Sequence, residues 1–294
     1  MKVGVDLGGS HIGIGLVDNH GKIIKKEEKF FENKNNIKEI IEVFITEKVI
    51  EMGLNNTIES IGIAVPGTVS EKQIIRAVNL GLENYNLVEK LEEILKIEVK
   101  LKNDAKCAAI AEHKYGELVE YENSIFLCIG TGVGGAVIYN GKLLEPKCVP
   151  GYEFSHTIIH KNGNICNCGK RGCFETYSSL KRFKEKIANE YNIKALDNET
   201  IIKFIKENSE DSRLKYMINN YIEDLSIGIS NFINIFEPEA ICFGGSFVEY
   251  ENIFYEPLKK KLIGGNLLFN KRDDIIIKHA KLGNDAGIIG ATLI

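Results

Sequence analysis

The sequence predicts an α/β protein with two domains, and three observations support this prediction. The chain has 294 residues, of which 44% are hydrophobic and 27% are charged, so it is long and apolar enough to form two hydrophobic cores. Short β-rich runs alternate with stretches of helical periodicity. A strand, glycine turn and strand near the N-terminus recur at residues 124–144, which indicates an internal duplication.

The first half begins with "KVGVDLGGSHIGIGLVDNHGKIIKKEEKF", which predicts three antiparallel strands. Gly8-Gly9 and Asn19-His20-Gly21 mark the two turns between them. The elements that follow are a helix over 36–52, the strand "SIGIAVPG", a helix over 87–95, the strand "IEVKLKND" and a helix over 105–115. This order predicts an α/β domain with a mixed sheet.

The second half repeats the opening pattern in "SIFLCIGTGVGGAVIYNGKLL", although any two hairpins would look alike to some extent. A long helix over 214–236, the buried strand "EAICFGG" and a last helix after Asn284-Asp285 follow. We therefore expect a small N-terminal α/β domain over 1–118 and a larger one over 119–283, with the helix of 284–294 packing back on the first. Two domains imply a cleft.

The charge pattern argues against nucleic acid as a partner. The formal net charge is -4, and the lysines are interspersed with glutamates instead of forming a basic face. We find no signal-peptide pattern and no apolar run of membrane-spanning length. We therefore expect a cytoplasmic protein whose cysteines stay reduced, with Cys107, Cys128 and Cys242 as small core residues.

Three glycine clusters predict backbone sites for phosphate oxygens, because uncovered N–H groups bind anions without a lysine. The chain has no G-x-x-x-x-G-K-[ST] motif, so it is not a P-loop protein. An aspartate precedes the first cluster at the end of an apolar strand, where its charge suits a hydrated magnesium carried by ATP. Hydrogen bonding to the turn is the alternative role. The candidate ATP residues are Asp6, Gly8, Gly9, Ser10, Gly130, Thr131, Gly132, Gly244 and Gly245.

Asn103 and Asp104 stand where a predicted strand ends and a helix begins. Either residue is a good helix N-cap. A carboxylate at the carboxyl end of a strand, beside a cleft, is also where a general base would take a proton from a hydroxyl. The two roles are compatible, because phosphoryl transfer needs little from the protein beyond positioning and charge neutralisation.

The segment "CNCGKRGCFE" brings Cys166, Cys168 and Cys173 close together in sequence. The pattern C-x-C-x4-C predicts three thiolate ligands of a structural zinc, with His156 as the fourth ligand and His160 in reserve. Such a closed site leaves no position for water, which excludes a zinc hydrolase. A redox role is the less supported alternative, since the cluster has no C-x-x-C pair. A rigid loop would hold the glutamates before and after it as buried carboxylates that point into the cleft, an arrangement that suits the hydroxyls of a sugar.

These motifs resemble the ROK family (repressor, open reading frame, kinase), within the hexokinase, Hsp70 and actin superfamily, over nearly the whole chain. "DLGGSH" is similar to the first phosphate motif, "AVPGTV" to the sugar-side loop and "ND" to the catalytic pair. "GTGVGGA" is similar to the second phosphate motif, "YEFSH" to the glutamate-histidine signature and "CNCGKRGCFE" to the zinc signature. The resemblance implies a duplicated actin-like ATPase (ribonuclease H-like) fold, with two α/β domains around a cleft.

The resemblance further implies an ATP-dependent kinase that phosphorylates the 6-hydroxyl of a hexose, with Asp104 as the base that deprotonates this hydroxyl. It implies Mg²⁺ that arrives with ATP, and a homodimer. Zinc would be held by His156, Cys166, Cys168 and Cys173, and Gly244-Gly245 would face the adenosine. The implied sugar ligands are Gly67, Asn79, Asn103, Asp104, Glu153, His156 and Glu175.

Three positions depart from the family pattern. His11 stands where lysine is usual, and Tyr152 and Ser155 stand where glycines are usual. The complete glutamate-histidine-glutamate set favours glucose as the acceptor, with N-acetylmannosamine as the runner-up and fructose or allose as further alternatives. The repressor branch carries an N-terminal DNA-binding domain, whereas this chain starts on the phosphate strand, so we expect an enzyme. The competing class is a non-catalytic sugar-binding regulator.

Overall fold

The computed structural model describes residues 1–31, 35–147, 149, 151–263 and 275–294. The chain divides into two compact units. Unit 1 comprises Met1–Glu120, Leu143–Gly151 and Lys281–Ile294, and unit 2 comprises Tyr121–Lys142 and Tyr152–Ala280. No helix in the described ranges is long and apolar enough to cross a membrane.

Unit 1 begins with alternating strands and helices. In chain order these are β1 (Lys2–Leu7), β2 (His11–Val17), β3 (Ile23–Phe30), α1 (Ile37–Gly53), β4 (Ser60–Val65), β5 (Thr68–Val69), β6 (Ile74–Ala77), β7 (Leu82–Tyr85), α2 (Leu87–Leu95), β8 (Glu98–Asn103) and α3 (Asp104–Tyr115). The sequence prediction located the longer elements but missed β5, β6 and β7, which form a separate antiparallel sheet.

The main sheet of unit 1 has the order β3-β2-β1-β4-β8. β1, β2 and β3 form the predicted antiparallel meander, while β1 pairs with β4 and β4 with β8 in parallel. Parallel strands end at the same edge of a sheet. The sheet therefore brings the first glycine turn, after β1, to the same edge as the end of β8, where Asn103 and Asp104 lie.

Unit 2 repeats this arrangement. Its elements are β9 (Ser124–Ile129), β10 (Val133–Tyr139), β11 (Lys142–Leu143), α4 (Glu175–Ser178), α5 (Leu180–Tyr191), α6 (Asn198–Glu207), α7 (Ser212–Phe236), β12 (Ala240–Gly244), α8 (Glu251–Ile263) and β13 (Ile276–His279). The unit boundary falls within the two-residue strand β11. The strand order is β11-β10-β9-β12-β13, with β9 antiparallel to β10 and parallel to β12. The central β9 and β12 match β1 and β4 of unit 1, which confirms the predicted duplication.

The last helix, α9 (Ala286–Ala291), packs directly on the backbone of unit 1. Glycines make this close approach possible. A methyl group at Gly4 of β1 would overlap the carbonyl group of Ile288, and one at Gly62 of β4 would overlap the carbonyl oxygen of Ala291. On the helix side, a methyl group at Gly290 would overlap the carbonyl oxygen of Cys107 in α3. The C-terminal helix therefore joins the sheet to α3.

Replacement of Gly62 by alanine should destabilise unit 1. The added methyl group overlaps backbone, which cannot move aside as a side chain can, so we expect Gly62→Ala to lower the free energy of unfolding by about 3 kcal/mol or more. Gly53→Ala is the matched control, since its methyl group would lie 3.6 Å from Ile58 and alanine favours the helix. Urea unfolding of both variants measures the contrast, and equal stabilities would contradict this account of the packing.

Candidate functional site

The first glycine turn in unit 1 is a tight backbone loop. The N–H of Gly8 donates to the carbonyl oxygen of His11 at 2.8 Å, and Ser10 is exposed. A methyl group at Gly9 would lie 3.4 Å from the side chain of Asn79. The structure thus places the predicted sugar ligand Asn79 beside the predicted phosphate turn.

Asn103 and Asp104 form a fixed pair at the start of α3. Asn103 is the N-cap, because its Oδ1 accepts from the N–H of Lys106 at 3.2 Å. Its Nδ2 donates to the carbonyl oxygen of Gly67 at 3.1 Å and to Oδ1 of Asp104 at 3.0 Å. The same oxygen of Asp104 accepts from the N–H of Ala105 at 2.8 Å. Cap and carboxylate are therefore neighbouring residues, and each fixes the orientation of the other.

Asp6 is half-buried near the end of β1. Burial raises the pKa of its carboxyl group from 3.8 to about 7, the negative charge of Asp104 adds to this increase, and Lys26 opposes it. A methyl group at Gly287 of α9 would lie 2.5 Å from Oδ2 of Asp6, so the carboxylate is packed against the last helix. Two carboxylates that disfavour each other's charge suit a divalent cation, which fits the magnesium of MgATP.

The ionised side chain of Asp6 should lower the free energy of unfolding of the nucleotide-free protein. A carboxyl group whose pKa is higher in the folded than in the unfolded chain binds a proton more tightly when folded, so the free energy of unfolding falls as pH rises from about 4 to 7. We expect Asp6→Asn to raise the free energy of unfolding by about 1–3 kcal/mol at pH 8 and to change it little at pH 4. Urea unfolding at the two pH values measures this difference.

Asp18 provides the control of opposite sign. Hydrogen bonds from the N–H groups of Lys22 and His20 lower the pKa of its carboxyl group, so Asp18→Asn should remove stability that is present at neutral pH and lost in acid. If Asp6→Asn destabilised the protein at pH 8, the description of Asp6 as a desolvated carboxylate would be wrong.

In unit 2, two glycine clusters meet at the carboxyl ends of parallel strands. The N–H of Gly130 donates to the carbonyl oxygen of Gly132 at 2.9 Å, and Thr131 is exposed at the tip. Gly245 has a φ of 71°, and a methyl group there would lie 2.8 Å from the carbonyl oxygen of Ile129 at the end of β9. The "FGGS" and "GTG" turns are therefore adjacent, as a shared nucleotide site requires.

The predicted metal cluster assembles as expected in unit 2. One ligand atom from each of His156, Cys166, Cys168 and Cys173 lies within 4.8 Å of all the others. Sγ of Cys166 lies 3.7 Å from Nδ1 of His156, and Sγ of Cys168 lies 3.6 Å from Sγ of Cys173. Ligands about 2.3 Å from a tetrahedral zinc are separated by roughly 3.8 Å. The donor set and its spacing therefore fit zinc.

The chemistry of the thiols also fits a cation. Burial raises the pKa of the Cys173 thiol to about 12, and the neighbouring thiols of Cys168 and Cys166 add to this increase. Three thiols in contact resist becoming thiolates together, and a divalent cation removes that cost. Of the three, Cys168 is exposed and the others are buried.

The reserve ligand His160 is not part of the cluster. Its Nε2 lies 2.6 Å from Oδ1 of Asp224 on α7, and its ring packs on Tyr177. Asp224 is too far from the loop in sequence for a spacing argument to have found it. His160 therefore attaches the loop that carries the cysteine cluster to α7, a role that the sequence prediction missed.

The two predicted sugar glutamates differ in environment. Glu153 is exposed, which corrects the expectation of buried carboxylates, and the following Phe154 anchors the segment by packing on Phe232 with ring centroids 4.3 Å apart. Glu175 is half-buried and starts α4, and its Oε2 accepts from the N–H of Val133 at 3.0 Å. The sequence could not predict this hydrogen bond, because its donor is a backbone N–H group that any residue at position 133 except proline would provide.

The three departures from the family pattern have distinct local structures. The ring of His11 packs on Phe30 with centroids 5.5 Å apart. Tyr152 has a φ of 57° and is exposed, so a large side chain occupies a left-handed conformation that favours glycine. Ser155 is buried. Tyr152 and Ser155 lie one and two residues from Glu153, so both belong to the segment that carries this predicted sugar ligand.

Comparison with known proteins identifies the family. The sequence model of the family described as "ROK family" matches residues 2–294 of this chain. The chain belongs to the ROK family. Among curated ROK relatives, it is 30% identical to a glucokinase of Halalkalibacterium halodurans over 98% of this chain and 92% of that protein. It is 29% identical to an N-acetyl-D-glucosamine kinase of Pasteurella multocida over 99% of this chain and 98% of that protein.

The same family includes repressors. The chain is 27% identical to a xylose repressor of Caldicellulosiruptor bescii, over 98% of this chain and 76% of that protein. Among solved structures, it is similar to a ROK family glucokinase from Streptomyces griseus in complex with glucose and AMPPNP, with 25% identity and a TM-score of 0.82. That match covers 99% of this chain and 97% of the other, which confirms the duplicated actin-like ATPase fold. The kinase relatives support a sugar kinase.

Proposed function

We propose that this ROK protein is an ATP-dependent kinase that transfers the γ-phosphoryl group of ATP to the 6-hydroxyl of a hexose, with glucose as the favoured acceptor. The observation that carries the proposal is the Asn103-Asp104 pair. Its carboxylate is fixed by two N–H donors at the sheet edge that also bears the first glycine turn. This geometry suits a base that acts beside a phosphate site.

In the proposed reaction, Asp104 takes the proton of the 6-hydroxyl as its oxygen attacks the γ-phosphorus. The bond from the γ-phosphorus to the bridging oxygen breaks, and ADP leaves. Backbone N–H groups of the glycine turns hold the phosphates, and Mg²⁺ bound with ATP supplies neutralising charge. Asp6 would face this magnesium. His156, Cys166, Cys168 and Cys173 would hold a zinc whose contribution is to fix the loop.

The glutamates of unit 2 would bind the sugar. Glu153 and His156 precede the cysteine cluster in the chain, and Glu175 follows it. Gly67, Asn79 and Asn103 are further predicted sugar ligands. All three members of the glutamate-histidine-glutamate set are present in unit 2. Carboxylates accept strong hydrogen bonds from hydroxyl groups. Because one relative is an N-acetyl-D-glucosamine kinase, an N-acetylhexosamine such as N-acetylmannosamine is the second candidate acceptor. A homodimer remains a prediction.

ADP release coupled to NADH oxidation tests the proposal, with MgATP and a panel of glucose, N-acetylglucosamine, N-acetylmannosamine, mannose, fructose and allose. We expect turnover with one preferred sugar, glucose first. The product of the preferred sugar should carry phosphate on O6, which phosphorus-coupled NMR identifies. Binding of a sugar without ADP release, by protein that contains zinc, would instead favour the sugar-binding regulator that the xylose repressor relative suggests.

A further inference from the structure

The carboxylate of Glu175 lies against the second glycine turn. Its Oε2 accepts from the N–H of Val133, the first residue of β10, at 3.0 Å. A methyl group at Gly132 would lie 2.5 Å from the same oxygen. Glu175 therefore contacts the backbone where the turn joins β10, in addition to any contact that it makes with a sugar.

The position of Glu175 is set by its own neighbours. Cys173, two residues earlier, is a member of the metal cluster. The ring of Phe174 is buried, occupies the space over Gly228 of α7, where a methyl group would overlap it, and packs edge-on against Phe232. These contacts fix the backbone that leads into Glu175, so its carboxylate extends from a rigid part of unit 2.

A second contact holds the other end of the turn. The N–H of Lys181 in α5 donates to the carbonyl oxygen of Gly130 at 3.2 Å, and the N–H of Gly130 is itself bonded to Gly132. Thr131 lies at the exposed tip between the two contacts. Removal of the Glu175 bond would therefore remove the side-chain contact at the Val133 end of the turn and leave the contact at Gly130 in place.

We infer that Glu175 is a positioning residue for the phosphate turn of the nucleotide site, beyond its expected role as a sugar ligand. The inference rests on the proposed function for the identity of the nucleotide. A carboxylate has two oxygens and accepts several hydrogen bonds, so one oxygen holds the turn while the other accepts from a sugar hydroxyl. The sugar and nucleotide sites then share one residue.

The test compares MgAMPPNP affinity in the absence of any sugar, by isothermal titration calorimetry on the zinc-loaded protein. We expect Glu175→Ala to weaken binding about 10-fold or more, because a preorganised backbone site loses affinity when it must be ordered on binding. Glu175→Gln retains an acceptor oxygen and should bind within about twofold of the unaltered protein. Glu153→Ala removes the other sugar glutamate, which does not contact Val133 or Gly132, and should also leave nucleotide affinity unchanged.

Hydrogen exchange of the ligand-free proteins gives an independent readout. The amide of Val133, followed in peptides that span 125–139, should exchange faster in Glu175→Ala and normally in Glu175→Gln. Unchanged nucleotide affinity of Glu175→Ala would overturn the inference, as would equal losses in all three variants. If the unaltered protein bound no MgAMPPNP, the proposed kinase function would fail, and the exchange rates would still decide whether Glu175 holds the turn.

Discussion

Asp104→Asn is expected to lower kcat with the preferred sugar by about 10³-fold or more, since a positioned general base contributes roughly 10²–10⁴-fold and an amide does not accept the proton. The fold should be kept. Asn103, not Asp104, caps α3, and an amide oxygen at position 104 still accepts from the N–H groups of Asn103 and Ala105. Sugar and MgAMPPNP affinities, measured by calorimetry, should therefore stay within a few-fold of those of the unaltered protein.

Asp211→Asn is the matched control for this prediction. Asp211 is also an acidic residue at a helix start, where its side chain caps α7 by accepting from the N–H of Leu214 at 2.7 Å and also accepts from the hydroxyl of Tyr191. Asparagine is an equally good N-cap, so this variant changes the net charge by the same amount without a loss of turnover. A kcat of Asp104→Asn within tenfold of the unaltered value would remove Asp104 from the role of base.

Local patterns in the sequence predicted much of the fold. Periodicity located the strands of both meanders, and the "ND" pair marked the junction of β8 and α3 because a strand end followed by a capping residue is a local signal. The small sheet of β5–β7 was missed because its strands have only two to four residues, which is too short for alternation to stand out.

Site contacts that join distant parts of the chain were not predictable in the same way. Spacing in "CNCGKRGC" predicts a ligand cluster because the ligands are near in sequence. The bond from Val133 to Glu175 spans 42 residues and its donor is backbone, which has no residue signature. The packing of Gly287 against Asp6 is equally hidden, because the sequence does not show which face of the last helix meets β1.

Cys168→Ser is expected to release the metal. Removal of one of four thiolate or imidazole ligands leaves a hydroxyl that stays protonated at neutral pH, and structural zinc sites contribute on the order of 10 kcal/mol to folding of their segment. The exposed position of Cys168 means that the substitution does not disturb the core. We expect the zinc content, measured by inductively coupled plasma mass spectrometry, to fall from about one per chain to nearly none.

Loss of the metal should act on both substrates, but more on the sugar. His156 is itself a predicted sugar ligand, and Glu175 follows Cys173 by two residues, so the sugar ligands lose their support directly. The nucleotide turn loses the hold of Glu175 but keeps its bond from Lys181 to Gly130. We therefore expect KM for the sugar to rise about 10-fold or more, in line with the loss of roughly 1.4 kcal/mol per factor of ten, and KM for ATP to rise less.

Asn167→Ser is the control for Cys168→Ser. Asn167 is the exposed neighbour of Cys168 in the same tight loop and offers no thiolate, so its replacement should leave both metal content and kinetics unchanged. Comparison of the two variants distinguishes the effect of losing a metal ligand from the effect of changing the loop sequence. If Cys168→Ser kept its zinc, the assignment of this cysteine as a ligand would be wrong. If the zinc were lost without any change in KM for the sugar, the cluster would bind metal for a purpose other than holding the sugar glutamates.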